Sequence, residues 1–111
     1  MYQEINNLDV FNKTIENKEA VLVYFSNEMC NVCKVLKPQV AQLMDENFPK
    51  IELIYIDIEK TPEISAQNSV FTIPTIIVYF QGKEYIRKSR HIGIGELEDS
   101  IERPYDLIFD N

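Results

Sequence analysis

Apolar and polar positions along this chain alternate between two periods. Leu8, Phe11 and Ile15 recur at helical spacing, with Asn6 or Asn7 standing where an N-cap would. Residues 20–25 then form an unbroken apolar run rich in β-formers, which predicts a central strand buried on both faces. Leu36, Val40, Leu43, Met44 and Phe48 mark one face of a following helix, and Lys37, Gln42, Asp45 and Glu46 occupy the other. Pro38 lies inside that helix and predicts a kink, because it removes a backbone donor and crowds the preceding turn. Asn47-Phe48-Pro49 ends it. Residues 51–58 predict a second strand. Thr61-Pro62-Glu63 opens a short helix that ends near Asn68, with proline allowed in the first turn. Ile73-Pro74-Thr75 leads into a third strand at 76–80, Gln81-Gly82-Lys83 is a turn, and residues 84–90 are its hairpin partner. A last helix follows Gly95, carries Leu97 and Ile101, and is interrupted at Pro104.

This order predicts an α/β fold. A parallel βαβ unit with a right-handed crossover joins an antiparallel hairpin, giving a mixed central sheet with helices on both faces. A chain of 111 residues without repeats or a linker is expected to be one domain, 1–111. Hydrophobic content of 45% and charged content of 26% fit a soluble globular protein. The formal net charge of −7 argues against nucleic acid as a partner, since that binding needs a basic surface. The apolar runs at 21–25 and 76–80 are too short to span a bilayer, so no membrane partner is expected. Met1-Tyr2-Gln3-Glu4 lacks the basic and apolar regions of a signal peptide, and the expected location is cytoplasmic.

The chemistry concentrates at Cys30 and Cys33, the only two cysteines. Two thiols at this spacing on a helix N-terminus can close a disulfide and reopen it. The helix end lowers the pKa of the first sulfur, and the thiolate is the nucleophilic form. In a reducing compartment such a pair is redox-active or metal-binding rather than a structural staple. A structural zinc site needs about four ligands, which two cysteines and the lone His91 do not supply within one chain. Lys83, Arg87, Lys88 and Arg90 form a basic stretch, readable as edge-strand charge that blocks aggregation or as steering for an acidic partner.

With Cys30-Asn31-Val32-Cys33 after the first long strand and Ile73-Pro74-Thr75 before the third, the chain resembles the thioredoxin family over nearly its whole length. Residues 21–25 look like that family's strand before the active site. Lys34, Pro38 and Gly82 stand where the family places a lysine, the helix-kinking proline and the hairpin glycine. The resemblance implies a thioredoxin fold and a thiol–disulfide oxidoreductase that reduces protein disulfides. It makes Cys30 the nucleophile and Cys33 the more buried resolving thiol. It makes Pro74 a cis-proline facing the cysteines and Ile73 the residue whose backbone pairs with an extended substrate. It also implies a recycling enzyme such as a thioredoxin reductase, and no cofactor beyond the Cys30–Cys33 pair. The alternatives are an interaction domain of the same fold with slow redox activity, and an enzyme handling small thiols or peroxide.

Several residues depart from the family pattern. Met29 replaces the tryptophan before the first cysteine and forms either an apolar rim for substrate or a shield for sulfur. Asn31-Val32 replaces Gly-Pro, and Val32 keeps an N–H that proline lacks. An added donor would stabilise the thiolate, which implies a potential somewhat above thioredoxin's, in the range of roughly −200 to −270 mV. Tyr24 stands where thioredoxins carry a buried acid. With a pKa of ~10 a tyrosine is a poor base at pH 7, so Tyr24 either fills the core or hydrogen-bonds without relaying a proton. Tyr55 falls at the family's nearby lysine.

Overall fold

The computed structural model describes residues 1–109. Asp110 and Asn111, the end of the expected 1–111 domain, lie outside the described residues. The elements follow as β1 (Gln3–Glu4), α1 (Leu8–Asn17), β2 (Ala20–Ser26), α2 (Asn31–Asn47), β3 (Glu52–Asp57), α3 (Pro62–Gln67), β4 (Thr75–Phe80), β5 (Lys83–Ser89) and α4 (Ile94–Phe109). The sheet order is β1-β3-β2-β4-β5. β1 and β2 both run parallel to β3, while β2–β4 and β4–β5 are antiparallel. The mixed sheet, its parallel βαβ unit and its antiparallel hairpin are those the sequence predicts.

The period of two along the strands sorts the core into two halves. Leu22 and Tyr24 of β2, Leu53 and Tyr55 of β3, and Ile76, Val78 and Phe80 of β4 share one cluster with Leu36, Val40, Leu43 and Met44 of α2 and Leu97 and Ile101 of α4. The intervening residues, Val21, Val23, Phe25, Ile54, Ile56, Ile77 and Tyr79, pack with Phe11 and Ile15 of α1 and Ile64 of α3. The middle positions of β2, β3 and β4 are therefore apolar in both registers because both faces are covered there. Tyr24 points to the side of α2, the helix that begins at the cysteines.

Local chemistry fixes the boundaries. Asn7 is the cap of α1, its side chain accepting the Val10 N–H at 3.0 Å. Phe80 pairs with Lys83, so the hairpin turn is the two residues Gln81 and Gly82, with φ of 54° and 79°. Two positive φ values are what a tight type I′ hairpin demands, and glycine meets that at no steric cost.

Three expectations need correction. β1 is a strand that the sequence reading lacked, two exposed residues paired with Ile54 and Tyr55. It is too short to show a period. The last helix starts at Ile94, so Gly95 lies within it, and it runs through Pro104 instead of stopping there. The reason is tertiary. Tyr105 packs edge-on against Phe48 at 5.0 Å and lies 4.8 Å from Phe109, while its hydroxyl accepts the Lys50 N–H at 3.2 Å. That packing holds the final turn although proline removes one hydrogen bond. Lys37 also leaves the purely solvated face of α2, as described next.

Candidate active site

β2 carries the chain to the site. Its last residue, Ser26, pairs with Asp57 at the end of β3, and Phe25 pairs with Thr75 at the start of β4. Pro74 therefore falls at the same end of the sheet from which residues 27–30 lead into α2. Asn27 Oδ1 accepts the Met29 N–H at 3.0 Å and tightens that link. Cys30 is the N-cap of α2, and its Sγ accepts the Cys33 N–H at 3.2 Å. That bond, with the positive end of the helix dipole, places partial positive charge beside the first sulfur. The Val32 N–H, the added donor expected from the sequence, makes no bond to that sulfur among the described residues.

The two sulfurs are joined in a disulfide, with the Cα atoms 5.3 Å apart. They differ in access. Cys33 is only 2% exposed, whereas Cys30 is partly exposed. Asn31 and Val32 between them face solvent. The Ile73–Pro74 bond is cis. Pro74 is buried and its carbonyl accepts the Arg90 N–H at 2.8 Å. Thr75 Oγ1 donates to Thr72 O at 2.7 Å and lies 3.0 Å from Ser89 Oγ, closing the loop beneath it. Ile73 is half-buried against the cluster that holds both cysteines. Its own N–H and C=O make no hydrogen bond among the described residues. Met29 is 81% exposed, and Val32 and Phe71 are exposed apolar side chains as well. Phe71 was not singled out from the sequence, although an aromatic residue between strand patterns, three before Pro74, was the available signal.

Beneath Cys33 lies a cluster of aromatic rings. Tyr24 is fully buried and its Oη donates to the Cys33 carbonyl at 2.8 Å, so it both fills the core and hydrogen-bonds. Tyr55 stacks beside it at 6.4 Å, and Tyr2 meets it edge-on at 5.8 Å. Lys37 Nζ sits 3.8 Å above the Tyr55 ring and 5.2 Å from that of Tyr2, whose Oη donates to the Lys37 carbonyl at 2.9 Å. The lysine lays its apolar stem along the cluster and its cation on the negative ring face. Burial pushes the ionisation of Tyr2, Tyr24 and Tyr55 above the usual tyrosine range, with the Asp57 carboxylate adding to the shift at Tyr55. Tyr24 is thus a neutral donor at pH 7 and no base. Lys37 had a signal in the sequence, since residues i and i+4 share a helix face and Cys33 lies one turn before it. Tyr2 had none. Asp57 is a buried carboxylate that the sequence reading did not mark; its Oδ1 accepts the Glu59 N–H at 2.9 Å and closes the turn after β3.

His91 is exposed beyond the end of β5. Among the described residues no group of three or more His, Cys, Asp and Glu is placed to hold a metal ion, and no helix is long and apolar enough to cross a membrane.

The family model described as Thioredoxin matches residues 3–103. The chain is similar to thioredoxin-like protein YdfQ of Bacillus subtilis, 31% identical over 93 residues, covering 84% of this chain and 82% of that protein. It is 34% identical to a thioredoxin of Buchnera aphidicola over 83 residues, covering 75% and 76%. The X-ray structure of Fasciola hepatica thioredoxin superposes with a TM-score of 0.81 at 30% identity, covering 93% of this chain and 98% of that one.

Proposed function

The chain belongs to the thioredoxin family and is a protein thiol–disulfide oxidoreductase, and from that premise we propose that Cys30 attacks and Cys33 resolves. The observation that carries this assignment is the asymmetry of the pair. Cys30 is partly exposed at the helix N-terminus and accepts the Cys33 N–H, whereas Cys33 is buried. In the dithiol form the Cys30 thiolate attacks one sulfur of a substrate disulfide. A Cys30–substrate disulfide forms, and the second substrate sulfur leaves as a thiolate and takes a proton. The Cys33 thiolate then attacks Cys30 Sγ, the Cys30–Cys33 disulfide closes, and the first substrate sulfur leaves. Two electrons pass from enzyme to substrate.

Substrate binding falls to Met29, Ile73 and Pro74. Met29 offers an apolar edge, and the cis bond at Pro74 turns the chain so that the free N–H and C=O of Ile73 can pair with an extended segment. Asn31 and Val32 tune the pair from between the sulfurs, and Tyr24 tunes it by holding the Cys33 carbonyl. The substrates are protein disulfides, and an enzyme of the thioredoxin reductase type returns the pair to the dithiol. Residues 1–111 act as one cytoplasmic domain that needs no cofactor beyond its own two sulfurs, and engages neither nucleic acid nor a membrane.

Insulin reduction coupled to dithiothreitol tests the assignment. Cys30→Ser abolishes turnover, and Cys33→Ser accumulates mixed disulfides on Cys30 that survive denaturing gels and vanish with reductant. Mixed disulfides that collect on Cys33 in Cys30→Ser instead would reverse the two roles.

A further inference from the structure

Beside the disulfide runs an apolar groove of about 580 Å³, lined by Val32, Val35 and Leu36 on α2 and by Arg90 and Ile92 on the segment between β5 and α4. Val32 lies between the two cysteines in the first turn of α2, so one end of the groove borders the disulfide segment. Val32 and Val35 are 64% and 65% exposed and form the apolar side of the groove on α2.

The basic stretch divides here. Arg87 is held by Glu84 at 2.8 Å and by the carbonyl of Asn68 at 2.7 Å, a structural role on the edge strand. Arg90 has no carboxylate partner among the described residues and stands at the groove. Its φ of 67° lies in the left-handed region that side-chain-bearing residues seldom adopt, and its N–H is tied to Pro74 O at 2.8 Å. The guanidinium is thus carried on backbone anchored to the residue after Ile73, where a substrate segment would cross. Gln39, His91 and Gly93 complete the lining; Glu96 stands beside Gly93 but does not line the groove, and among the described residues Arg90 is the one arginine or lysine that does.

Resting on the reductase reading above, we propose that Arg90, at the edge of this groove, selects substrates bearing an Asp or Glu within a few residues of the attacked cysteine. The complementarity is local. The net charge of −7 opposes an acidic partner at long range, but at about 0.15 M salt that field is screened beyond ~8 Å, and the contact with Arg90 remains.

The test uses peptides closed by one disulfide and identical except for Asp, Asn or Lys two residues from one cysteine. At physiological salt the wild type is expected to show kcat/KM about fivefold higher for the Asp than for the Lys peptide, the upper range for an exposed charge pair. Arg90→Gly, which suits the positive φ, brings that ratio close to one, and Arg90→Glu inverts it. The ratio is taken within each protein and is independent of how fast each variant turns over. A ratio unchanged in both variants, or a wild type that treats all three peptides alike, overturns the role of Arg90 while leaving the reductase reading intact. A wild type that reduces neither the peptides nor insulin overturns the reductase reading itself. A dimer in sedimentation that Val35→Glu dissolves assigns the groove to a second copy of this chain and overturns the substrate assignment.

Discussion

A hydroxyl buried directly under Cys33 must be satisfied without carrying charge, and Tyr24 meets both conditions by donating to a backbone carbonyl. Removing only that bond separates its structural contribution from any part in proton transfer. Tyr24→Phe keeps the ring between Tyr2 and Tyr55 and is expected to lower unfolding free energy by about 1 kcal/mol, read from urea denaturation of the oxidised protein. Disulfide reduction at pH 7 should change by less than about twofold, since a general acid–base group contributes roughly 10²–10⁴-fold. A tenfold loss of rate with unchanged stability would make Tyr24 a proton carrier after all. The site was legible to different depths at this scale. The cysteine pair follows from its spacing along the chain, and the places of Pro74 and Tyr24 follow from the family resemblance. The seat of Lys37 on the Tyr55 ring does not, because it depends on β3 bringing Tyr55 beside Tyr24 and on Tyr2 arriving from before α1.

At the scale of elements, α4 shows where a local rule yields to packing. Proline breaks an isolated helix, and on that rule the chain should leave α4 at Pro104. The turn beyond it carries Tyr105, Ile108 and Phe109, all packed against the core on the α2 side. If that packing holds the turn, Tyr105→Ala should cost about 2 kcal/mol and expose the amides of residues 105–109 to fast hydrogen exchange, while amides around Leu97 and Ile101 stay protected. Slow exchange in both segments would mean that the helix holds itself past the proline. Legibility follows the same division. β2, as an unbroken apolar run, and α2, with a full helical period, were readable. β1 was not, since two exposed residues have no period and are ordered only by pairing with β3. The continuation of α4 was not, since its cause is a ring from α2's C-cap, Phe48, distant in sequence.

For the molecule as a whole, covering both faces of the sheet has a titration consequence. Tyr2, Tyr24, Tyr55 and Tyr79 all come to lie in the packed layers, and burial raises the ionisation of each above its ordinary value. In the unfolded chain the same side chains lose their protons near pH 10. Above that pH the unfolded state binds fewer protons than the folded one, so unfolding free energy falls as pH rises. Their contribution is fully present below about pH 10 and declines beyond it, by on the order of 1 kcal/mol for each protected tyrosine at pH 11. The comparison that isolates the effect is between the wild type and Tyr24→Phe. Urea unfolding of the oxidised forms at pH 9 and pH 11 should give a drop in stability for both proteins, smaller in Tyr24→Phe by roughly 1 kcal/mol. Parallel drops would mean that Tyr24 ionises as readily folded as unfolded, which is incompatible with a hydroxyl sealed beneath Cys33.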